Sequence, residues 1–188
     1  ETGDRMIRAG ELLGFDCGMV GPFSYVADVS RTFRCGPGKP TDEQRRLYRT
    51  AYENIQFNLD LVKPGVSFRE IMETGWKIPD EFVANRYPSS VHGIGMSDEW
   101  PMIKHPQDWD YEGYDGVLEE NMTVCVESYI GAQDGAEGVK LEEQVLITKN
   151  GYQLLSTFPY EDALLAWRRQ HDARPPLSPW ATICTHLG

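Results

Sequence analysis

Val139-Lys140-Leu141-Glu142-Glu143-Gln144-Val145 reads as the middle of a buried β-strand in which a carboxylate stands among apolar residues. The same pattern recurs in Leu12-Leu13-Gly14-Phe15-Asp16 and in Thr123-Val124-Cys125-Val126-Glu127. With Asp28 and His92 added, the chain carries Asp16, Asp28, His92, Glu127 and Glu142 in that order. Burying a lone carboxylate is costly unless it takes up a proton or meets a positive charge, so four of them beside apolar neighbours call for a shared cation. An oxygen-rich set with one imidazole suits a hard or borderline divalent ion such as Mn, Fe, Co or Zn. Taken singly, each acid reads more readily as a surface or salt-bridged group; the set of five is what argues for a metal.

Length and charge narrow the field. At 188 residues the chain has the size of one domain able to bury a core. It contains neither a run of ~18 apolar residues nor a signal-peptide pattern. With 18 Lys and Arg against 29 Asp and Glu, the net charge is −11, which argues against a nucleic-acid or anionic-membrane partner. Cys17, Cys35, Cys125 and Cys184 show no CxxC spacing, so free thiols in a reducing cytoplasm are expected rather than a disulfide frame. Cys17 and Cys125 flank candidate ligands, and small apolar packing is the default reading for both. The first residue is Glu, which points to a processed or truncated chain.

Strands and helices alternate along the sequence. Residues 11–20 and 23–35 read as a hairpin-like pair of strands joined at Gly21-Pro22 and carrying Asp16 and Asp28. Thr41, with Glu43 and Gln44 in the first turn, predicts a helix whose apolar stripe is Leu47, Tyr48, Ala51, Tyr52 and Ile55 and which ends near Lys63-Pro64-Gly65. Ser67 predicts a second helix over Phe68–Trp76, and a third covers Asp80–Asn85. Residues 101–117 read as an irregular loop, 122–130 and 139–148 as strands, and Lys149-Asn150-Gly151-Tyr152 as a turn into a last strand. From Ala166 the periodicity stops, so 166–188 reads as an irregular, loosely attached extension.

Four motifs then carry a resemblance. Phe15-Asp16-Cys17-Gly18, Ala27-Asp28-Val29-Ser30-Arg31-Thr32, His92-Gly93-Ile94-Gly95 and Lys140-Leu141-Glu142-Glu143 resemble the successive metal-site motifs of the pita-bread metalloenzymes. That superfamily comprises methionine aminopeptidase, aminopeptidase P, prolidase and creatinase. The resemblance runs from about residue 10 to 165. It implies an α+β fold, a curved, mostly antiparallel sheet flanked by helices. Residues 1–165 would then be the C-terminal portion of the catalytic domain, with its N-terminal part preceding residue 1. It also implies one or two divalent ions, with Asp16 and Asp28 chelating one, Asp28 and Glu142 bridging, and His92 with Glu127 completing the other. A homodimer belongs to the same expectation.

The family's peptidases carry a second histidine seven residues after the metal-binding one. Here His92-Gly93-Ile94-Gly95-Met96-Ser97-Asp98-Glu99-Trp100-Pro101 has an acid in place of that imidazole, and no histidine follows until His105. The stretch Asp98-Glu99-Trp100-Pro101, the Cys-Val-Glu strand and the Lys-Leu-Glu strand resemble the branch that cleaves dimethylsulfoniopropionate. The separations fit that branch too: 12 residues from Asp16 to Asp28, 64 to His92, 35 to Glu127 and 15 to Glu142. The resemblance makes Asp98 the general base, Tyr87 a residue that touches the substrate, and Trp100 a second binding residue for a small zwitterion. One departure is Gly18, where those lyases carry a second aspartate and the peptidases a glycine. Three readings follow: a metal-dependent lyase, a Xaa-Pro metallopeptidase that recruits His105, and a non-catalytic binding module. Asp98 before Trp-Pro reads also as a turn residue, and Tyr87 beside Pro88 as ordinary packing.

Overall fold

The computed structural model describes residues 4–165. The predicted extension over 166–188 lies outside the described residues, as does Cys184. The centre of the fold is a five-stranded antiparallel sheet. Its strands are β5 (Ser89–Gly93), β6 (Met102–Lys104), β7 (Thr123–Ile130), β8 (Val139–Thr148) and β9 (Gly151–Leu154), in the spatial order β6-β5-β7-β8-β9. Before them come β1 (Leu12–Asp16) paired with β4 (Ser30–Arg34) and β2 (Met19–Val20) paired with β3 (Val26–Ala27).

The helices are α1 (Asp42–Leu59), α2 (Phe68–Thr74), α3 (Asp80–Val83), α4 (Trp109–Glu112) and α5 (Asp162–Leu165). Thr41 and Gln44 form a reciprocal capping box at the start of α1, satisfying two of the amide groups that a helix N-terminus leaves over. The stripe Leu47, Tyr48, Ala51 and Ile55 is buried, with Tyr52 partly so, and α1 lies on β7 and β8. Opposite it, Val124, Val126, Val139, Leu141, Val145 and Ile147 close the core. Because side chains alternate along a strand, these residues turn to α1 while Cys125 and Glu127 on β7, and Lys140, Glu142 and Gln144 on β8, share the other face. Among the described residues, no helix is long and apolar enough to cross a membrane.

β4 and β9 divide one edge of β8. β9 pairs with Val145–Thr148, while Thr32 Oγ1 of β4 donates to the Lys140 carbonyl at 2.8 Å and accepts from the Lys140 amide at 3.0 Å. Arg31, almost fully buried, binds the Glu142 carbonyl at 2.5 Å, the Glu143 carboxylate at 2.5 Å and the Phe158 carbonyl at 2.8 Å. This polar seam fixes the β1–β4 hairpin against the sheet.

Several expectations are corrected. The strand carrying Asp16 is not buried: Gly14, Phe15 and Asp16 are exposed, since β4 is the one strand paired with β1 among the described residues. The two long strands expected over 11–20 and 23–35 are broken at Cys17-Gly18 and Asp28-Val29, although the registers Asp16↔Ser30 and Met19↔Ala27 stay in step across the break. α1 stops at Leu59, where Leu61 and Val62 bond back three residues and tighten the chain into a turn. The loop expected over 101–117 contains β6 and α4, and β5, with one large apolar residue, is a wholly buried strand because both of its neighbours and both of its faces are occupied.

Candidate metal centre

The sheet's polar face collects the five ligand candidates. Register places His92 of β5 opposite Cys125 of β7, and Glu127 of β7 opposite Glu142 of β8. Asp16 at the end of β1 and Asp28 just before β4 approach from the hairpin. Ser30 Oγ bridges the two groups, 2.9 Å from Asp16 Oδ1 and 2.8 Å from Glu142 Oε2. His92 Nε2 lies 3.1 Å from Glu142 Oε1 and 3.3 Å from Glu127 Oε2. Glu127 Oε1 is 2.6 Å from Lys140 Nζ, and that ammonium also reaches Asp16, which closes the ring. Asp28 is held from behind, its amide donating to Gln144 Oε1 at 3.1 Å and its carbonyl facing Cys125 Sγ at 3.7 Å.

The electrostatics are those of crowded acids. Burial, then the carboxylates of Glu142 and Asp16, push Asp28 up to about 7. Burial also raises Glu127 against the pull of His92. His92 would be lowered by burial, but Glu127 and Glu142 raise it to about 10. Burial likewise works to raise Asp16, yet its bonds from Lys140 and Ser30 hold it below the usual carboxylate range. Lys140 would be lowered by burial, but Glu127 and Asp16 keep it above its ordinary value.

Does this site suit a metal? Asp28 Oδ1 is buried without a hydrogen-bond partner, an arrangement that costs free energy unless a cation faces it. Ligand atoms of Asp16, Asp28 and Glu142 lie within 4.8 Å of one another, and so do those of His92, Cys125 and Glu142. The donor set is therefore compatible with one or two divalent ions, with Glu142 common to both halves.

A pH dependence follows. In chelator, native Asp28 and native His92 each hold a proton to higher pH than in the unfolded chain, from 3.8 to about 7 and from 6.5 to about 10. The native state then binds more protons, and stability falls as pH rises through these windows. The expected result is a Tm in chelator that declines between about pH 4 and 10. With a saturating divalent ion, which displaces those protons, the decline should flatten or reverse. Thermal melts with and without metal at each pH check it; identical slopes would contradict the metal assignment.

The remaining candidates lie on and beside the loop after β5. Gly93 lets this loop close down, since a Cβ there would stand 2.1 Å from the Trp100 carbonyl oxygen. Tyr87 faces the centre: Lys140 Nζ sits 4.5 Å from its ring centroid and the His92 ring 6.5 Å away. Its phenol donates to Glu99 Oε1 at 2.6 Å. Asp98 is exposed on the loop, and Trp100 stacks on Tyr114 with ring centroids 4.9 Å apart. His105 is buried, and burial together with Arg86 lowers it to about 4, so its ring is neutral and remote from solvent.

Lys140, Ser30, Gln144 and Glu99 were not singled out from the sequence. Strand alternation around Glu142 was the available signal for Lys140 and Gln144. Glu99 stands seven residues after His92, the place of the peptidases' second histidine.

Three candidate ligands on one face of an antiparallel sheet, with two more from the hairpin beside it, make the arrangement of a pita-bread metalloenzyme. The profile of Metallopeptidase family M24 matches residues 1–149, and the chain belongs to that family. It is 36% identical over 165 residues to the dimethylsulfoniopropionate lyase DddP of Roseovarius nubinhibens, covering 88% of this chain and 37% of that protein. It is 31% identical to the Xaa-Pro dipeptidase of Pyrococcus furiosus over 157 residues, covering 81% of this chain and 42% of that protein. The solved prolidase from Pyrococcus furiosus superposes with a TM-score of 0.65 at 30% identity, covering 84% of this chain and 44% of that one. The chain thus spans about two fifths of the length of these relatives. Free Cys17, Cys35 and Cys125 agree with the expectation of unpaired thiols among the described residues.

Proposed function

We propose that a protein carrying this chain is a metal-dependent lyase that cleaves dimethylsulfoniopropionate into dimethyl sulfide and acrylate. The observation that carries the reading is Glu99, bonded to the Tyr87 phenol beside the centre at the place where the family's peptidases carry an imidazole, with the exposed Asp98 next to it in the chain. Similarity to the Roseovarius nubinhibens lyase supports it.

Asp16, Asp28, His92, Glu127 and Glu142 would hold one or two ions, which supply a Lewis acid for the substrate carboxylate and so acidify the adjacent C–H. Asp98, free of the ring of ligands, removes the α-proton, and dimethyl sulfide departs from the β-carbon as the C–C double bond forms. Tyr87 and Trp100 offer aromatic faces to the sulfonium. The raised Tyr87 phenol, kept neutral by burial and by its bond to Glu99, leaves the ring as its working surface.

Tyr87→Ala is expected to raise KM roughly tenfold with a smaller change in kcat, because a cation–π contact is present in ground and transition states alike. Tyr87→Phe, which keeps the ring, should restore most of it. A steady-state titration with substrate checks both.

A second reading, Xaa-Pro peptidase, is favoured by family membership and by Gly18, the peptidase-like form of the first motif. A Cβ on Gly18 would meet nothing within 4 Å, so space does not exclude the lyases' second aspartate. Against the peptidase stands His105, the nearby candidate for the missing imidazole, which is buried. Headspace detection of dimethyl sulfide beside hydrolysis of proline dipeptides, on a protein of the relatives' full length, decides between them. Dipeptide hydrolysis without dimethyl sulfide would replace the first reading with the second.

A further inference from the structure

Cys125 lies fully buried on β7, directly opposite His92 in the β5–β7 register and two residues from Glu127 on the same face. Its sulfur belongs to a cluster with His92 and Glu142 whose ligand atoms are all within 4.8 Å of one another. The thiol's contact with the Asp28 carbonyl, at 3.7 Å, is the weak bond of a poor donor. Beside it, Glu127 Oε2 is buried and stands 3.3 Å from His92 Nε2, so a further buried carboxylate oxygen borders the same space. On the far side of Glu142, Asp16 and Asp28 form a cluster made of oxygen alone.

We propose that Cys125 is a ligand to the ion held by His92 and Glu142, so that the centre pairs a nitrogen-sulfur-oxygen position with an all-oxygen position. The inference rests on the reading of this centre as a metal site, and is independent of whether the protein is a lyase or a peptidase. Sulfur and imidazole favour zinc or cobalt, whereas carboxylates alone favour manganese or magnesium, so the two positions select different ions. On coordination the S–H bond breaks, the sulfur lone pair goes to the ion and the proton leaves to solvent. In the absence of an ion, burial and the Glu142 carboxylate hold the thiol protonated, which keeps Cys125 inert.

Titration of the chain with cobalt(II) under anaerobic conditions tests this through absorption rather than turnover. A thiolate-to-cobalt charge-transfer band in the near ultraviolet is expected for the native chain. It should vanish in Cys125→Ser and in Cys125→Ala, and persist in Cys17→Ser, Cys35→Ser and Cys184→Ser. In competition between zinc and manganese, Cys125→Ser should move the ratio bound toward manganese about tenfold. Cobalt bound with visible d–d bands but no charge-transfer band overturns the proposal and leaves the metal centre standing, as does a band that survives both Cys125 variants. If the native chain binds no cobalt, the proposal and the metal reading fall together.

Discussion

Asp28→Ala is expected to abolish tight divalent binding while leaving the fold intact. Asp28 is buried among Glu142, Asp16, His92 and Glu127, and its Oδ1 has no hydrogen-bond partner. Removing a ligand's outer-sphere partner costs roughly 10–100-fold in metal affinity, so if Asp28 bridges as proposed its removal should cost at least about 100-fold. The sign in chelator is opposite. A carboxylate whose crowded neighbours push it up to about 7 contributes repulsion when ionised, so its loss should leave Tm unchanged or raised above that pH. Metal content after desalting, calorimetric titration and paired thermal melts would show both effects. Unchanged metal affinity would remove Asp28 from the ligand set; a lower Tm in chelator would assign it a structural role instead.

For Asp98→Asn, the expected loss in dimethyl sulfide release is a factor of about 10²–10⁴, the usual contribution of a positioned general base, with metal content unchanged. The amide keeps the size of the side chain but cannot accept the proton. Glu99→Gln should do less, because a glutamine oxygen can still accept the Tyr87 phenol. Both are measured by headspace assay on a protein of full family length, with metal quantified in each sample. Undiminished release by Asp98→Asn ends the role proposed for Asp98, and a larger loss with Glu99→Gln would transfer that role to its neighbour.

Much of the metal site was readable as pattern. A carboxylate inside an apolar strand carries its own signal, because burial without a partner is unfavourable, and Glu127 and Glu142 are both buried on strands as expected. The capping residue Thr41 and the stripe Leu47, Tyr48, Ala51 and Ile55 are local codes, and α1 follows them. β5 and β6 escaped because their strand character is not local: Ser89-Ser90-Val91-His92-Gly93 has little β pattern, and Met102-Ile103-Lys104 is too short for one. The exposure of Asp16 escaped for the same reason, since apolar neighbours in sequence do not say whether another layer covers the strand.

By itself, then, the sequence determined which residue types bear charge on which strands, where α1 begins, and the family to which the spacing of five candidate ligands belongs. Those properties depend on neighbours a few positions apart or on order along the chain. Tertiary structure alone decided that Lys140 turns toward Asp16 and Glu127, that Ser30 ties Asp16 to Glu142, and that Glu99 rather than Asp98 takes the Tyr87 phenol. It also placed Cys125 against His92 and withdrew His105 from solvent. These are contacts between residues far apart in the chain, set by strand register and by the closure of a loop over Gly93, and no local propensity encodes them.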